Sequence, residues 1–184
     1  MAQPSTAASL VVNVADLLHR PAARRHDRHT LVVRPLQVLS TAVAAGTEAA
    51  VDVLLEWVSD GILATGTASA PWTAECRRCL APLEGLVTAP FQELFEGESR
   101  EGESYPLKGD RVDLAPLVTE ALLLNLPLAP LCRDDCAGLC PTCGADRNVG
   151  PGGPNAEVGD CGCDPNPPDP RWAALDVLKD GQAE

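Results

Sequence analysis

The sequence has no run of about 20 uninterrupted apolar residues, the length a single helix needs to cross a bilayer. Its most apolar window, Leu117–Leu131, is broken by Glu120, Asn125, Pro127 and Pro130, so no membrane partner is expected. Met1–Thr6 carries no basic n-region, and the apolar stretch Leu10–Leu18 is interrupted by Asn13 and Asp16, which leads to the expectation of a cytoplasmic location. Positive charge is scarce. Fourteen Lys plus Arg stand against 26 Asp plus Glu, a net charge of -12, and a body of that sign will not coat RNA, because phosphate binding is supplied by clustered Lys and Arg. No internal repeat is visible. Neither a Gly-rich phosphate loop before a helix, a GxSxG elbow nor an HExxH motif occurs, and the acidic residues are spread rather than paired. The chain therefore lacks the parts of the common hydrolytic and phosphoryl-transfer sites, and neither an enzyme nor a small-molecule substrate is expected.

What is present is one domain's worth of chain, 184 residues at 45% apolar content. Only three Trp, two Phe and one Tyr contribute to it. Most of the surplus of Gly and Pro falls after residue 140, so the core must come mainly from the first 130 residues. The expected organisation is a sheet-plus-helix core over 8–130 and a Cys-rich, metal-stapled segment with a terminal helix over 131–180, packed as one domain. Residues 1–7 and 181–184 are expected to be flexible tails.

Along the chain, Leu10–Leu18 reads as a first strand. Residues 19–34, HRPAARRHDRHTLVVR, hold five Arg, one Asp and all three His; this reads as a basic loop of local charge +4. Val51, Val53, Leu55 and Trp57 alternate with Asp52, Leu54 and Glu56, and the Ser59-Asp60-Gly61 turn then leads into a strand ending before Pro71. Trp72–Cys76 and Leu83–Phe95 are further strands, which places Cys76-Arg77-Arg78-Cys79-Leu80 at a hairpin tip. The acidic stretch 96–103 is a solvated connector. Asp113 is an N-cap for a helix to about Asn125 whose apolar face is Leu114, Leu117, Val118, Ala121 and Leu122. Residues 148–160 form a Gly/Pro loop, and Asp169-Pro170 opens a last helix. The fold class expected is α+β, an antiparallel sheet or partly open barrel covered by a helix, with a zinc-ribbon-like C-terminal segment.

Eight cysteines stand at short fixed spacings: Cys76-x2-Cys79, then Cys132-x3-Cys136-x3-Cys140-x2-Cys143, then Cys161-x-Cys163. Cytosolic thiols are kept reduced, so such clusters bind metal or do redox work rather than form disulfides. Four thiolates close the tetrahedral shell of a structural zinc, and two intervening residues let both sulfurs reach one ion from a tight turn. Pro141 stiffens the second CxxC, and Gly144 accepts left-handed geometry after it. The most economical pairing is Cys140, Cys143, Cys161 and Cys163 around one ion and Cys76, Cys79, Cys132 and Cys136 around another, giving two structural zinc ions; other partitions obey the same spacing limits. A redox pair is disfavoured because neither CxxC opens a helix in a βαβ context. Iron-sulfur ligation is disfavoured because the ferredoxin spacings are missing. His19, His26 and His29 all lie in the Arg-rich segment, far in sequence from the Cys, so a catalytic zinc lacks its usual ligands.

The blocks CRRCL (76–80), LCRDDCAGLCPTCG (131–144), CGC (161–163) and DPRWAAL (169–175) together resemble the YceD family, the large ribosomal RNA subunit accumulation proteins, in its Cys-rich form. The helix at 113–127 and the segment GILATG (61–66) are similar as well. The resemblance implies a cytoplasmic bacterial factor for 23S ribosomal RNA accumulation and ribosome biogenesis, in a family often encoded beside a small zinc-ribbon ribosomal protein, with no catalytic mechanism attached. Expected partners are large-subunit ribosomal RNA, through Arg20, Arg24, Arg25 and Arg28, or a basic large-subunit ribosomal protein facing the acidic body, or a processing nuclease. The competing readings are a thiol oxidoreductase or RNA-processing enzyme, and a zinc-binding adaptor or reserve protein.

Overall fold

In the computed structural model of the protein, residues 9–59, 61–99, 102–148, 161–163 and 171 are described. They divide into two compact units, one from the chain up to Cys76 with Ala81–Pro130, the other from Arg77–Leu80 with the chain from Leu131 onward.

The first unit is a mixed nine-stranded sheet with one helix. Its centre is a long hairpin of β6 (Gly61–Glu75) and β7 (Pro82–Glu96), in antiparallel register from Gly61↔Glu96 to Glu75↔Pro82. The first half of β6 pairs with β5 (Glu48–Val58) as far as Ser69, and β5 pairs with β2 (Arg24–Val32) over all nine residues of β2. The second half meets β4 (Thr41–Val43) at Thr73, and β4 pairs with β3 (Leu36–Val38). Beyond β7, the order runs through β8 (Tyr105–Lys108), parallel to β7, and β9 (Arg111–Asp113) to β1 (Val11–Asn13).

The strands follow from alternation. Ala49, Val51, Val53 and Leu55 of β5 are buried while Ala50 and Glu48 face solvent, the period-2 pattern of a sheet with one covered face. The β5–β6 hairpin stands where the sequence puts it, β5 ending at Val58 and β6 beginning at Gly61. Two expected strands, ending before Pro71 and starting at Trp72, are one continuous β6. Pro71 is tolerated because the ladder to β5 has ended at Ser69 and β4 pairs only at Thr73, so one flank of the strand has no partner at that point. Gly66 lies under the close approach of β5: a Cβ there would sit 2.1 Å from the Asp52 carbonyl oxygen and 3.0 Å from Val53 Cα.

Residues 24–32, read from sequence as a basic loop, are strand β2. The inner side alternates Arg25, Asp27, His29 and Leu31, half-buried or buried, against exposed Arg24, His26, Arg28 and Thr30. Pairing with β5 supplies the backbone partners that the charged composition concealed. The first strand is shorter than read, because the Asn13 side chain accepts the Ala15 N–H and turns the chain.

Helix α1 (Ala115–Asn125) packs mainly on β7, and also on β6 and β3. Ala115, Leu117, Val118, Ala121 and Leu122 are buried on it. Leu114 rather than Asp113 occupies the cap position, and Asp113 instead accepts the N–H groups of both Ala115 and Leu10, tying β1 to the helix start. After Pro127 ends the helix, the buried Thr41 hydroxyl donates to the Pro127 carbonyl at 2.6 Å. The core includes Val14, Val33, Val43, Leu55, Ile62, Phe95, Val112, Leu114 and Leu122, and among the described residues none after Leu126. Among the described residues no helix is long and apolar enough to cross a membrane.

In the second unit, described residues 131–148 form turns and one isolated bridge, Leu139↔Asp146. The Gly/Pro stretch from 149 to 160 and the expected final helix from Asp169 lie outside the described residues, apart from Arg171.

Candidate metal centres

Both CxxC segments form the same turn. Cys76 N–H donates to the Ala81 carbonyl at 2.8 Å, and Cys140 N–H donates to the Ala145 carbonyl at 2.8 Å. In each case the bond closes five residues on, and the residue after the second Cys is left-handed: Leu80 at φ +61° and Gly144 at φ +73°. Gly144 suits that geometry as its sequence position suggests. Leu80 occupies it against the steric preference of a side chain, about 1–2 kcal/mol, and sequence spacing alone gave no sign of it.

The sulfurs gather in two groups of four, Cys76, Cys79, Cys132 and Cys136 in one, and Cys140, Cys143, Cys161 and Cys163 in the other, each with its Sγ atoms within 4.8 Å of one another. The membership is that of the pairing drawn from the spacings. Cys79 and Cys132 Sγ are 3.6 Å apart. Four sulfurs at ~2.3 Å from one ion have tetrahedral edges of about 3.8 Å, so the groups fit a four-thiolate ion. All eight are thiols rather than disulfides. Neither group contains a His or carboxylate, and a closed shell of four sulfurs leaves no position for water, which makes each a candidate for a structural ion rather than a catalytic one.

Electrostatics in the second group point the same way. The backbone N–H groups of Cys143 and Thr142, with a contribution from the Cys161 thiol, hold the Cys140 sulfur down at about 6. The neighbouring Cys143 and Cys161 sulfurs push Cys163 up to about 12. Four thiols this close cannot all ionise against one another; a bound cation removes that conflict and is the species the donor set suits.

Around the first group, the Arg78 guanidinium donates to the carbonyls of Cys136 at 2.9 Å and Asp134 at 3.3 Å, and the Arg78 carbonyl accepts Leu139 N–H. Asn148 reaches the Cys136 sulfur with its amide nitrogen at 3.5 Å. Sequence reasoning passed over both residues, since neither belongs to a ligand spacing.

The four arginines expected to meet RNA have different surroundings. Arg25 is engaged with Asp16, Asp27 and the Asn13 carbonyl, bridging β2 to the turn that follows β1. Arg28, 80% exposed, donates to Asp52, which also binds His26. Arg24 is exposed opposite Glu56 in the β2–β5 register, and Arg20 is exposed in the preceding turn. A groove of about 430 Å3 opens beside Arg28, lined by Thr30, Asp52, Thr67 and Ser69 among others. His19 stacks edgewise on Trp57, and His29 lies 3.9 Å from Asp27, so none of the three His stands in either Cys group.

A family model described as "Large ribosomal RNA subunit accumulation protein YceD" matches residues 64–179. The chain belongs to this family. The YceD-family match thus covers β6 from Ala64 onward, β7, the helix and all eight cysteines. Along 183 residues the chain is 35% identical to an uncharacterized protein of Mycobacterium tuberculosis, covering 95% of this chain and 83% of that one, and to an uncharacterized protein of Mycobacterium bovis to the same extent. An uncharacterized protein of Mycobacterium leprae is 33% identical over 139 residues, 67% of this chain and 56% of its own. No solved structure matches. The YceD description gives the chain a ribosome-related role.

Proposed function

We propose that this YceD-family protein is a non-enzymatic cytoplasmic factor that supports accumulation of large-subunit (23S) ribosomal RNA by binding RNA, a basic large-subunit ribosomal protein, or both. The family match over residues 64–179 carries the reading. Two zinc ions, one per Cys group, serve as scaffold, holding segments whose described residues lie outside the apolar core. The chemistry each ion supplies is neutralisation of four thiolates and a rigid turn; the protein's own residues do the binding.

The charges favour a basic protein partner over a broad RNA contact. Residues 19–34 carry +4, leaving -16 on the rest, and within β2 Arg25 and Arg28 already hold carboxylates. Of the four arginines, Arg20 and Arg24 are the most available to a phosphate. An acidic surface speeds and orients encounter with a basic partner. The test is recovery of the tagged full-length protein from its host at low and high salt, with sequencing of the RNA and identification of the proteins that follow it. Large-subunit RNA or its proteins, released as salt rises, is the expected result; recovery of neither refutes the reading. A thiol oxidoreductase is excluded if the pure protein turns over no disulfide, and a zinc reserve if removing the metal unfolds the segment.

A further inference from the structure

Asn148 sits where two local structures meet. It follows the turn of the second CxxC directly: the Leu139↔Asp146 bridge closes that turn, and Arg147 N–H donates to the Gly138 carbonyl. Its own N–H and side-chain amide donate to Asp146 Oδ1 at 2.9 and 2.7 Å, which fixes the side chain against the turn. From that position the amide oxygen accepts the Ala137 N–H at 2.8 Å and an Arg133 N–H at 2.8 Å. The amide nitrogen approaches the buried Cys136 sulfur at 3.5 Å. One half-buried side chain therefore holds both a ligand sulfur of the first group and the loop 133–137 that presents it, and is itself held by the turn that presents Cys140 and Cys143 to the second group.

The geometry points to Asn148 as a positioning residue that couples the two metal sites, so that loading the Cys140/Cys143/Cys161/Cys163 site raises the affinity of the Cys76/Cys79/Cys132/Cys136 site. This inference rests on the reading that both groups hold metal. The physical cause is orientation: groups that hold ligands in place from outside the coordination shell typically change metal affinity by 10–100-fold. An ion in the second site orders the turn around Cys140–Ala145, that order fixes Asn148, and the fixed amide gathers Cys136 and the 133–137 loop toward their partners.

The experiment is a titration of the metal-free, reduced full-length chain with Co(II), and then with Zn(II) in competition, following the thiolate-to-cobalt absorption. The sites are separated by variants: Cys143→Ser with Cys163→Ser leaves the first site, and Cys79→Ser with Cys132→Ser leaves the second. In the two-site chain Asn148→Ala should weaken each site by the same 10–100-fold when the other is loaded, because coupling between two binding sites is reciprocal, and it should leave the second site unchanged in the Cys79→Ser, Cys132→Ser background. Losing the second site should weaken the first in the wild-type background and have no further effect in the Asn148→Ala background, which is the signature of coupling in a double-mutant cycle. Asn148→Asp, which keeps the acceptor for Ala137 and Arg133 and removes the donor to sulfur, should shift the cobalt absorption of the first site alone. Weakening of the second site by Asn148→Ala that persists when the first site is absent, or strictly additive effects, overturns the coupling, and so does an unchanged band in Asn148→Asp. Wild-type protein that takes up fewer than two ions overturns the metal reading itself.

Discussion

Removing metal should unfold one part of this protein and spare the other. Among described residues 131–148 the only buried side chains with apolar character are Cys136 and Cys140, each returning on the order of 1–1.5 kcal/mol on burial. Ordering one residue costs about 1–2 kcal/mol in backbone entropy alone, so that contribution cannot hold an 18-residue stretch. Thiolate coordination of a structural zinc is worth about 10–16 kcal/mol per site near neutral pH, enough to change the outcome. The sheet is in the opposite position, since its core, from Val12 to Leu126, includes no cysteine. Hydrogen exchange read by mass spectrometry, with and without a high-affinity chelator at pH 7, checks this. Amides of 133–148 should lose protection on chelation, while those of β5, β6 and β7 outside the 76–81 turn keep it. Protection retained throughout 133–148 in metal-free protein would refute the reasoning, and collapse of β5–β7 together with the segment would show that the sheet depends on the ions as well.

The two CxxC turns predict opposite results for exchanged residues. Leu80→Gly relieves a left-handed strain of about 1–2 kcal/mol at a 56% exposed position and returns about 0.4–1 kcal/mol through the unfolded chain, so a gain of about 0.5–1 kcal/mol is expected, whereas Gly144→Leu should lose about 1–2 kcal/mol; denaturant midpoints of the metal-loaded proteins read both. Gly66→Ala drives a methyl into the β5 backbone and should cost about 3 kcal/mol, the upper end for overpacking, seen as a lower thermal midpoint. Arg25→Met removes hydrogen bonds to Asp16, Asp27 and Asn13; discounted for partial exposure, the loss is about 1–2 kcal/mol in urea unfolding. The Arg25 hydrogen bond holds the Asp16 carboxyl below its usual value, so its stabilisation is complete above the unfolded carboxylate range and disappears as pH falls through the lower folded value. Wild type should therefore lose stability relative to Arg25→Met as the solution is acidified below about pH 4; parallel curves for the two proteins contradict the assignment.

How much of this was legible in the sequence depended on how local its cause was. The β5–β6 hairpin, the β6–β7 hairpin and the CxxC at its tip rest on alternation and turn residues within a few positions, and they stand as read. So does the buried face of α1 at Leu117, Val118, Ala121 and Leu122. Strand β2 was hidden because Arg24, Arg25, His26, Arg28 and His29 carry a solvated composition, and only the distant partner β5 turns them into a ladder. The three-residue strands β3, β4 and β9 are too short for any periodicity to register. Pro71 divided β6 in the sequence but not in the sheet, because its tolerance depends on where β5 stops and β4 begins. The Cys groups could be assembled from spacing, since thiolate coordination constrains ligand number and turn length together; Asn148 and Arg78 could not, since a residue that serves a ligand from outside has no fixed distance in sequence.

The pairing of β1 with β9 sets a timetable for synthesis. Leu10 donates to Asp113 across 103 residues, and among the described residues Val11–Asn13 finds its one strand partner at Arg111–Asp113. At about 5–20 residues per second, β1 must wait about 5–20 s for its partner to be translated. The β6–β7 hairpin, by contrast, closes as soon as its own second arm emerges. Strand β1 is thus secured only after the strands between it and β9 have been made, and while the sheet grows from its central hairpin this edge waits open.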